Sequence, residues 1–261
     1  MILTVKSMTL AYPQMGPRSV FFVQDWHALA PTVEPKNGNG NPMADSAEIP
    51  MRPGLGDPAP DFEAQTTHGM IRFSEWQSGR WVVLFSHPAD FTPVCTTEFV
   101  EFCKLSDFME EKGVALLGCS VDSIYSHIAW VRDIESRFEV KVDFPVIADL
   151  DQAVSRKFGM ISEPTSATAP VRSVFFIDGT GIVRAVISYP PEVGRSFTEI
   201  CRVIEALQLV DEKGVACPAN WKQGDAVIVP PPKTTKEAED RMEDSSLDKT
   251  DWYLARKKIE D

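Results

Sequence analysis

The hydrophobic pattern alternates between short apolar runs and amphipathic stretches from about residue 55 onward. Continuous apolar runs, which are typical of fully buried strands, occur at residues 81–85, 114–121, 144–147 and 171–177. Residues 182–189 alternate in polarity, and Asp178-Gly-Thr-Gly181 before them predicts a hairpin turn. The sequence therefore predicts at least five strands within one domain.

Two stretches near these runs have helical periodicity. One carries its apolar residues on a single face, at Ile124, Ile128, Val131 and Ile134. The other repeats at Phe197, Ile200, Ile204 and Leu207, behind a predicted capping box of Ser196 and Glu199. Strands separated by single helices predict an α/β fold with a mixed sheet and helices on both faces. This order, with its closing hairpin and final helix, resembles a thioredoxin-like fold.

The flanking segments differ from this domain, which we place at residues 53–210. Residues 1–52 contain turn-forming residues at 35–42 and little periodicity, which predicts a disordered extension or a misassigned start, with a targeting segment as the alternative. Residues 211–261 indicate an extended arm: 217–232 are rich in proline and apolar residues, and 236–261 are charged and expected to form a helix with a mobile end. We expect the arm to embrace a partner subunit.

Composition excludes several classes of function. A formal net charge of −12 argues against nucleic-acid binding and against docking on anionic lipid, and no apolar stretch is long enough to span a membrane. The five cysteines form no C-x-x-C motif, and the four histidines lie far apart in sequence. We therefore expect no metal and no cofactor, and a reducing, cytoplasmic location.

Cys95 is the candidate reactive residue. It follows the first buried run and precedes apolar residues at about three-residue spacing, namely Phe99, Phe102, Leu105 and Phe108. This pattern predicts a helix with Cys95 in its first turn, where free backbone N–H groups and the helix dipole favour a nucleophilic thiolate. The alternative is a buried core thiol.

The neighbours of Cys95 suit a reaction with a peroxide. Thr92 lies three residues earlier, so its hydroxyl could reach the sulfur and a bound peroxide, while Pro88 and Pro93 stiffen the loop. Arg172 lies within an apolar strand and needs a buried partner. A thiolate together with a peroxide oxygen would be such a partner.

The segment Phe85-Ser-His-Pro-Ala-Asp-Phe-Thr-Pro-Val-Cys-Thr-Thr-Glu-Phe99 resembles the active-site segment of peroxiredoxins, in particular the 1-Cys branch. The likeness extends in ordered blocks from about residue 53 to about 233. It implies a thiol-dependent peroxidase that reduces hydrogen peroxide and organic hydroperoxides through a cysteine sulfenic acid. It implies Cys95 as the nucleophile, Thr92 and Arg172 as the peroxide-holding residues, and Pro88 as a shield for the sulfur.

The resemblance also implies a supporting set of side chains. Glu98 and Arg195 would orient Arg172 through a polar network, with a simple surface ion pair as the alternative. His87 and Trp130 match family positions close to the pocket, and for His87 simple packing is the alternative. A holdase chaperone or redox-signalling binding protein on the same fold is the alternative function.

The arm departs from the 1-Cys pattern at Cys217. Val215-Ala-Cys-Pro resembles the segment that carries the resolving cysteine of typical 2-Cys members. Cys103 would lie about 12 Å from Cys95 along one helix, and Cys119 and Cys201 are expected in the core. Cys217 is therefore interpreted as a resolving cysteine from the partner subunit or as an incidental arm residue. The partners implied are a thioredoxin-like or other thiol reductant and a homodimer or ring decamer.

Overall fold

The computed structural model describes residues 52–259, so the predicted N-terminal extension lies, apart from Arg52, outside the described residues. The helices are α1 (Phe73–Gln77), α2 (Pro93–Lys104), α3 (Ser106–Glu111), α4 (Ile124–Phe138), α5 (Ala153–Lys157), α6 (Phe197–Lys213) and α7 (Thr235–Glu243). The strands are β1 (Glu63–Thr66), β2 (Gly69–Arg72), β3 (Trp81–Ser86), β4 (Val114–Ser120), β5 (Val146–Ala148), β6 (Arg172–Ile177), β7 (Val183–Tyr189), β8 (Val227–Ile228), β9 (Asp248–Asp251) and β10 (Leu254–Lys257). Within this range no helix combines the length and the apolar character that a bilayer span requires.

Seven strands form the central sheet in the order β2-β1-β5-β4-β3-β6-β7. β3 pairs in parallel with β4 and antiparallel with β6, so the predicted mixed α/β sheet is confirmed. The apolar runs predicted the strands well, except that β5 begins only at Val146. Pro145 has no N–H to donate, although its carbonyl accepts from Gly118. The predicted hairpin joins β6 and β7.

Strand β3 lies between two apolar clusters of the core. Val83 and Phe85 belong to the cluster that holds Cys95. Val82 and Leu84 belong to the second cluster, with residues of β1, α1 and α5. Because successive strand residues point to opposite faces, β3 anchors both layers and ends at the loop that carries the site.

Two helix details differ from the sequence predictions. The buried face of α4 consists of His127, Trp130 and Ile134, and the predicted core residue Ile128 is 44% exposed. A polar histidine takes the inward position because its ring nitrogens find buried partners. The Ser196 hydroxyl caps α6 by accepting from the Glu199 N–H. The reciprocal half of the predicted capping box is absent, because the Glu199 carboxylate binds Arg202 instead.

The arm contains more regular secondary structure than its sequence predicted. Within residues 236–259, helix α7 ends at Glu243, and the following residues form the β9–β10 hairpin of a second sheet ordered β8-β10-β9. The expectation of a mostly helical C-terminal segment was wrong at residues 248–257. Trp221 and Val227 are buried in a small cluster that includes Leu209 of α6. Part of the apolar surface of the arm is thus covered within the protomer, and contact with a partner subunit stays a prediction.

Candidate active site

The loop after β3 turns sharply into α2. Phe91 has a left-handed backbone with φ of 55°, a conformation that costs a residue with a side chain roughly 1–2 kcal/mol. Thr92 then takes the N-cap position and Pro93 the first helical position, where its fixed φ suits the helix. Cys95 is therefore the third residue of α2, in the first turn as predicted, and it is fully buried.

The hydroxyl of Thr92 does not cap this helix. It donates to the carbonyl of Ala89 at 2.9 Å, and within the described part of the chain no side chain caps α2. Its proton is thus donated to the loop, and contact of the hydroxyl with the sulfur or with a bound peroxide stays a prediction. The lone pairs of Thr92 and the backbone N–H groups of Val94 and Cys95 remain for a bound molecule.

Two arginines and one glutamate surround the sulfur. Nη1 of Arg172 lies 3.2 Å from Sγ of Cys95 and 2.7 Å from Oε2 of Glu98. Arg195 donates to the same carboxylate from Nη2 at 2.6 Å and from Nε at 3.0 Å. All four side chains are buried, so the alternative of a surface ion pair between Glu98 and Arg195 is wrong.

The charged side chains around the sulfur do not balance one another. Two guanidinium groups face one carboxylate, which leaves one positive charge beside Cys95. Burial alone would raise the pKa of Glu98, but the charge and hydrogen bonds of Arg195 and the charge of Arg172 hold that pKa below its usual value. Burial lowers the pKa of Arg195, and the Glu98 carboxylate opposes that effect. The carboxylate therefore stays ionised and fixes both arginines.

Backbone carbonyls fix the rest of each guanidinium. Arg172 donates from Nε and Nη2 to the carbonyl of Pro191, at 2.9 and 2.7 Å. Arg195 donates from Nη1 to the carbonyl of Ser86 at 2.9 Å. These neutral acceptors orient the arginines without cancelling their charge, so the positive field stays directed at the sulfur.

A second buried polar group lies beneath the loop. Nε2 of His87 donates to Asp90 at 2.9 Å, and Nδ1 of His127 donates to Asp90 at 2.8 Å. Nε2 of His127 lies 3.0 Å from the carbonyl of Ile147. Burial opposes ionisation of Asp90, but the hydrogen bonds from His127 and His87 hold its pKa well below its usual value. Burial lowers the pKa of His87, which therefore stays neutral with Nδ1 unprotonated.

These three residues are also the candidate metal ligands within residues 52–259. Their ligating atoms lie within 4.8 Å of one another and all three side chains are buried. The atoms already meet at hydrogen-bond distances, and protons shared between acid and imidazole account for the geometry. The sequence did not predict this cluster, because His87 and His127 are 40 positions apart and only the fold joins them.

Aromatic side chains form one wall of the site. The ring centroid of Trp130 lies 4.4 Å from that of Phe99 and 5.1 Å from that of His87. The ring centroids of His87 and Phe99 lie 5.0 Å apart. Trp130 is buried and donates from Nε1 to the hydroxyl of Thr96 at 3.4 Å. Pro88 is partly buried at the start of the loop. Phe99 and Trp130 belong to the same apolar cluster as Cys95.

The other cysteines lie in different environments. Cys103 is on α2 with Cys95, and burial, together with the charges of Asp143 and Glu135, raises its pKa to about 12. Burial also raises the pKa of Cys119 in β4 and of Cys201 in α6. Cys217 is half-buried in the cluster of the arm, with Sγ 3.8 Å from the carbonyl of Ala206. The structure thus brings the predicted residues around Cys95 together and leaves Cys217 in a separate cluster.

Sequence reasoning missed four contributors to the site. Asp90 and His127 form the buried pair beneath the loop, and the carbonyls of Ser86 and Pro191 hold the arginines. A signal existed for His127, which lies three residues before Trp130 on the same helical face. Backbone carbonyls give no signal in the sequence, because every residue has one.

Comparison with known proteins agrees with this arrangement. Residues 55–186 match the model of the AhpC/TSA family, and residues 206–245 match that of the C-terminal domain of 1-Cys peroxiredoxin. A peroxiredoxin of Aquifex aeolicus is 47% identical over 222 residues, which cover 81% of this chain and all of the relative. Among solved structures, a yeast mitochondrial 1-Cys peroxiredoxin is 39% identical with a TM-score of 0.70, covering 79% of this chain and 99% of the other. A mutant of peroxiredoxin 6 of Arenicola marina is 36% identical with a TM-score of 0.71, covering 78% and 97%.

A family model that matches half of the chain, and relatives covered almost in full, agree with a buried cysteine at a helix start beside a charged arginine network. The fold is thioredoxin-like. The chain belongs to the peroxiredoxin family and is a thiol-dependent peroxidase that uses peroxide substrates and thiol reductants.

Proposed function

We propose that Cys95 is the nucleophile of this peroxidase and that Arg172, Thr92 and Pro88 form the pocket that receives the peroxide. The observation that carries the proposal is the 3.2 Å contact between Nη1 of Arg172 and Sγ of Cys95. A buried arginine in contact with a cysteine stabilises the thiolate, and the same N–H groups can bind the oxygen that the sulfur attacks.

We propose the following first half of the cycle. The Cys95 thiolate attacks the terminal oxygen of the peroxide, an S–O bond forms and the O–O bond breaks. The leaving oxygen departs as water or alcohol after it takes up a proton, and the sulfur becomes a sulfenic acid. Arg172 and the N–H of Cys95 bind the oxygens as charge develops on them. Thr92, whose own proton is held by Ala89, accepts a hydrogen bond from the peroxide O–H.

The supporting side chains act through these groups. Glu98 and Arg195 orient Arg172, while His87 and Trp130 provide the wall of the pocket. Pro88 shields the sulfur from bulk water. These are positioning roles, because each acts through a neighbour and forms no bond with the transferred oxygen.

Replacement of the nucleophile tests the assignment. The Cys95→Ser protein should lose all peroxide turnover, while the Cys103→Ser protein, altered on the same helix, should keep it. Consumption of hydrogen peroxide and of cumene hydroperoxide with dithiothreitol as reductant measures both. Appreciable turnover by Cys95→Ser would contradict the proposal. The ratio of the wild-type rates with the two substrates gives the preferred peroxide.

For the second half of the cycle we propose Cys217 of a partner subunit as the resolving cysteine. Its thiol would condense with the sulfenic acid of Cys95, forming a disulfide and releasing water. Burial raises the pKa of Cys217 in this conformation, with Arg202 opposing the effect, and Cys95 is itself fully buried. Resolution therefore requires the arm to open and the first turn of α2 to unwind. If Cys217 does not act, an external thiol reduces the sulfenic acid directly.

Non-reducing electrophoresis with intact-mass measurement separates these two cycles. One equivalent of peroxide is added to the wild-type protein and to Cys217→Ser. A Cys95–Cys217 linked dimer in the wild type alone would establish the two-cysteine cycle. Monomers that carry sulfenic or sulfinic Cys95 in both proteins would instead establish a one-cysteine cycle.

The same proposal covers reductant, assembly and location. The yeast relative is described with glutathione and thioredoxin systems, and we infer a thioredoxin-like or other thiol reductant for this chain. We infer a homodimer or a ring decamer, in which the arm at 211–261 embraces the domain at 53–210 of a partner subunit. We also infer a cytoplasmic location for the protein. A holdase or signalling role without turnover is disfavoured, because a scaffold would not need the charged network around Cys95.

A further inference from the structure

Ser86 connects the two strands that carry the site. It is the last residue of β3 and is fully buried. The ladder between β3 and β6 ends one residue earlier, at the pair Phe85 and Val174. Beyond that pair the side chain of Ser86, rather than its backbone, makes the contact between the strands.

The Ser86 hydroxyl binds the backbone on both sides of Arg172. Its Oγ donates to the carbonyl of Val171 at 2.6 Å and accepts from the N–H of Ser173 at 3.1 Å. The N–H of Ser173 also donates to the carbonyl of Val171 at 3.0 Å, which closes a three-residue turn with Arg172 at its centre. One hydroxyl therefore braces the turn from which the Arg172 side chain departs.

The backbone of Ser86 reaches the second arginine. Its carbonyl accepts from Nη1 of Arg195 at 2.9 Å, and Arg195 in turn holds the Glu98 carboxylate that binds Arg172. Ser86 thus holds Arg172 through its turn and Arg195 through a carbonyl. Ser86 and Ser173 belong to buried strands, Val171 directly precedes one, and the Arg195 side chain is buried.

We propose that Ser86 is a positioning residue for peroxide reduction, which fixes the Arg172 guanidinium against Cys95 through the turn Val171–Ser173. This rests on the proposed function of Cys95 and Arg172. Without the hydroxyl, the Val171 carbonyl keeps only the Ser173 N–H as a donor, and the turn loses its brace. Arg172 then shifts relative to the sulfur, and a misplacement of about 1 Å can cost about 10²-fold in rate.

The test compares two reactions of the same sulfur in the reduced Ser86→Ala protein. Attack on hydrogen peroxide needs Arg172 to polarise the O–O bond, whereas alkylation by iodoacetamide needs only the thiolate. We expect the second-order rate constant with peroxide to fall about 10²-fold. We expect alkylation of Cys95 at high pH to keep the wild-type rate, because that reaction does not use the Arg172 guanidinium.

The control is Ser155→Ala. Ser155 is another fully buried serine, on α5, with its hydroxyl 3.7 Å from Sγ of Cys119. This variant should lose a comparable amount of melting temperature and keep both rate constants. Ser86→Thr and Ser86→Val form a second pair of equal bulk, in which the hydroxyl-bearing variant should react faster with peroxide, and they serve if Ser86→Ala does not fold.

The outcomes separate the two proposals. If stoichiometric peroxide does not oxidise Cys95 in the wild type, the proposed function fails and the role of Ser86 fails with it. If wild-type Cys95 is oxidised and Ser86→Ala reacts equally fast with peroxide, only the role of Ser86 is overturned. Equal losses in the peroxide and alkylation rates at high pH would also overturn it, because they would indicate a general structural defect.

Discussion

Cys95 and Cys217 lie in regions that arrange charge in different ways. The region of Cys95 is closed and contains two arginines, one glutamate and the buried pair of Asp90 with His127. The region of Cys217 is an apolar patch on the arm, where a backbone carbonyl is the close polar neighbour of the sulfur. Cys95 therefore has fixed positive charge beside it. The pKa of Cys217 is instead raised by burial and partly lowered by the charge of Arg202, which is partly exposed.

The two cysteines thus differ in the charge beside the sulfur and in their exposure to solvent. Cys95 is fully buried beside Arg172, whereas Cys217 is half-exposed and burial raises the pKa of its thiol. In the proposed cycle, Cys95 reacts with a small peroxide in the folded protein, and the reaction between the two cysteines requires movement of the arm.

The largest effect is expected from Glu98→Gln. The change removes the carboxylate between two buried arginines, and breaking such a buried pair costs about 3–5 kcal/mol. Arg172 would lose its anchor, and the rate constant with peroxide should fall about 10²-fold. Stopped-flow oxidation and urea unfolding measure the two effects. Glu101→Gln is the matched control, because Glu101 is on the same helix in an exposed pair with Lys104, and such a pair contributes less than about 1 kcal/mol. Equal effects from both variants would contradict the prediction.

On the arm, the largest effect is expected from Trp221→Ala. Trp221 is 2% exposed and donates from Nε1 to the carbonyl of Asp225 at 3.1 Å. Loss of a buried tryptophan costs about 3–5 kcal/mol, so hydrogen exchange at residues 215–229 should accelerate at least about tenfold. Oxidation of Cys95 should keep its rate. Trp252→Ala, at a site 43% exposed on the same arm, should change exchange little. A loss of Cys95 reactivity in Trp221→Ala would show that the two regions are coupled.

How far the sequence predicts these regions depends on the type of interaction. Continuous apolar runs placed β3, β4 and β6, and the position of Cys95 at the start of α2 followed from helical spacing. Those features are local, because burial on both faces and the first turn of a helix leave a pattern in neighbouring residues.

Interactions between distant residues left no such pattern. The pair of Asp90 and His127 joins positions 37 apart, and the exposure of Ile128 follows from the inward histidine on its helix. The sheet at 227–257 was also missed, because its strands are short and carry mostly polar residues that resemble a charged helix. Tertiary pairing decided each of these cases against local propensity.

Acid should weaken the two regions to different extents. The folded-state pKa of Asp90 is depressed, so its contribution to stability is complete above its ordinary pKa, 3.8, and is lost as the pH falls through the folded-state value. The wild type should therefore exceed Asp90→Asn in stability most clearly near neutral pH, and the gap should narrow below about pH 4. Urea unfolding at a series of pH values measures this gap. Glu237→Gln on the arm is the reference: the pKa of Glu237 is also lowered, by backbone hydrogen bonds at Lys233 and Thr234, but the residue is fully solvated, so its gap should be much smaller. A gap for Asp90→Asn that widens in acid would contradict the assignment of an ionised Asp90.

The smallest effect is expected from Arg202→Ala. Burial raises the pKa of Cys217 and the charge of Arg202 partly offsets it, so removal of the charge should leave less thiolate at a given pH. Arg202 also binds Glu199 and is partly exposed, and interactions at such sites are strongly screened. Alkylation of Cys217 in a Cys95→Ser background should therefore slow only about two- to threefold, as read from peptide masses after iodoacetamide treatment at pH 8. Lys213→Ala, at the end of the same helix, should leave the rate unchanged. If Arg202→Ala also left the alkylation rate unchanged, the weak field at Cys217 would have another source than this guanidinium. The same conclusion would follow if the decrease in rate disappeared in a Glu199→Gln background but persisted in high salt.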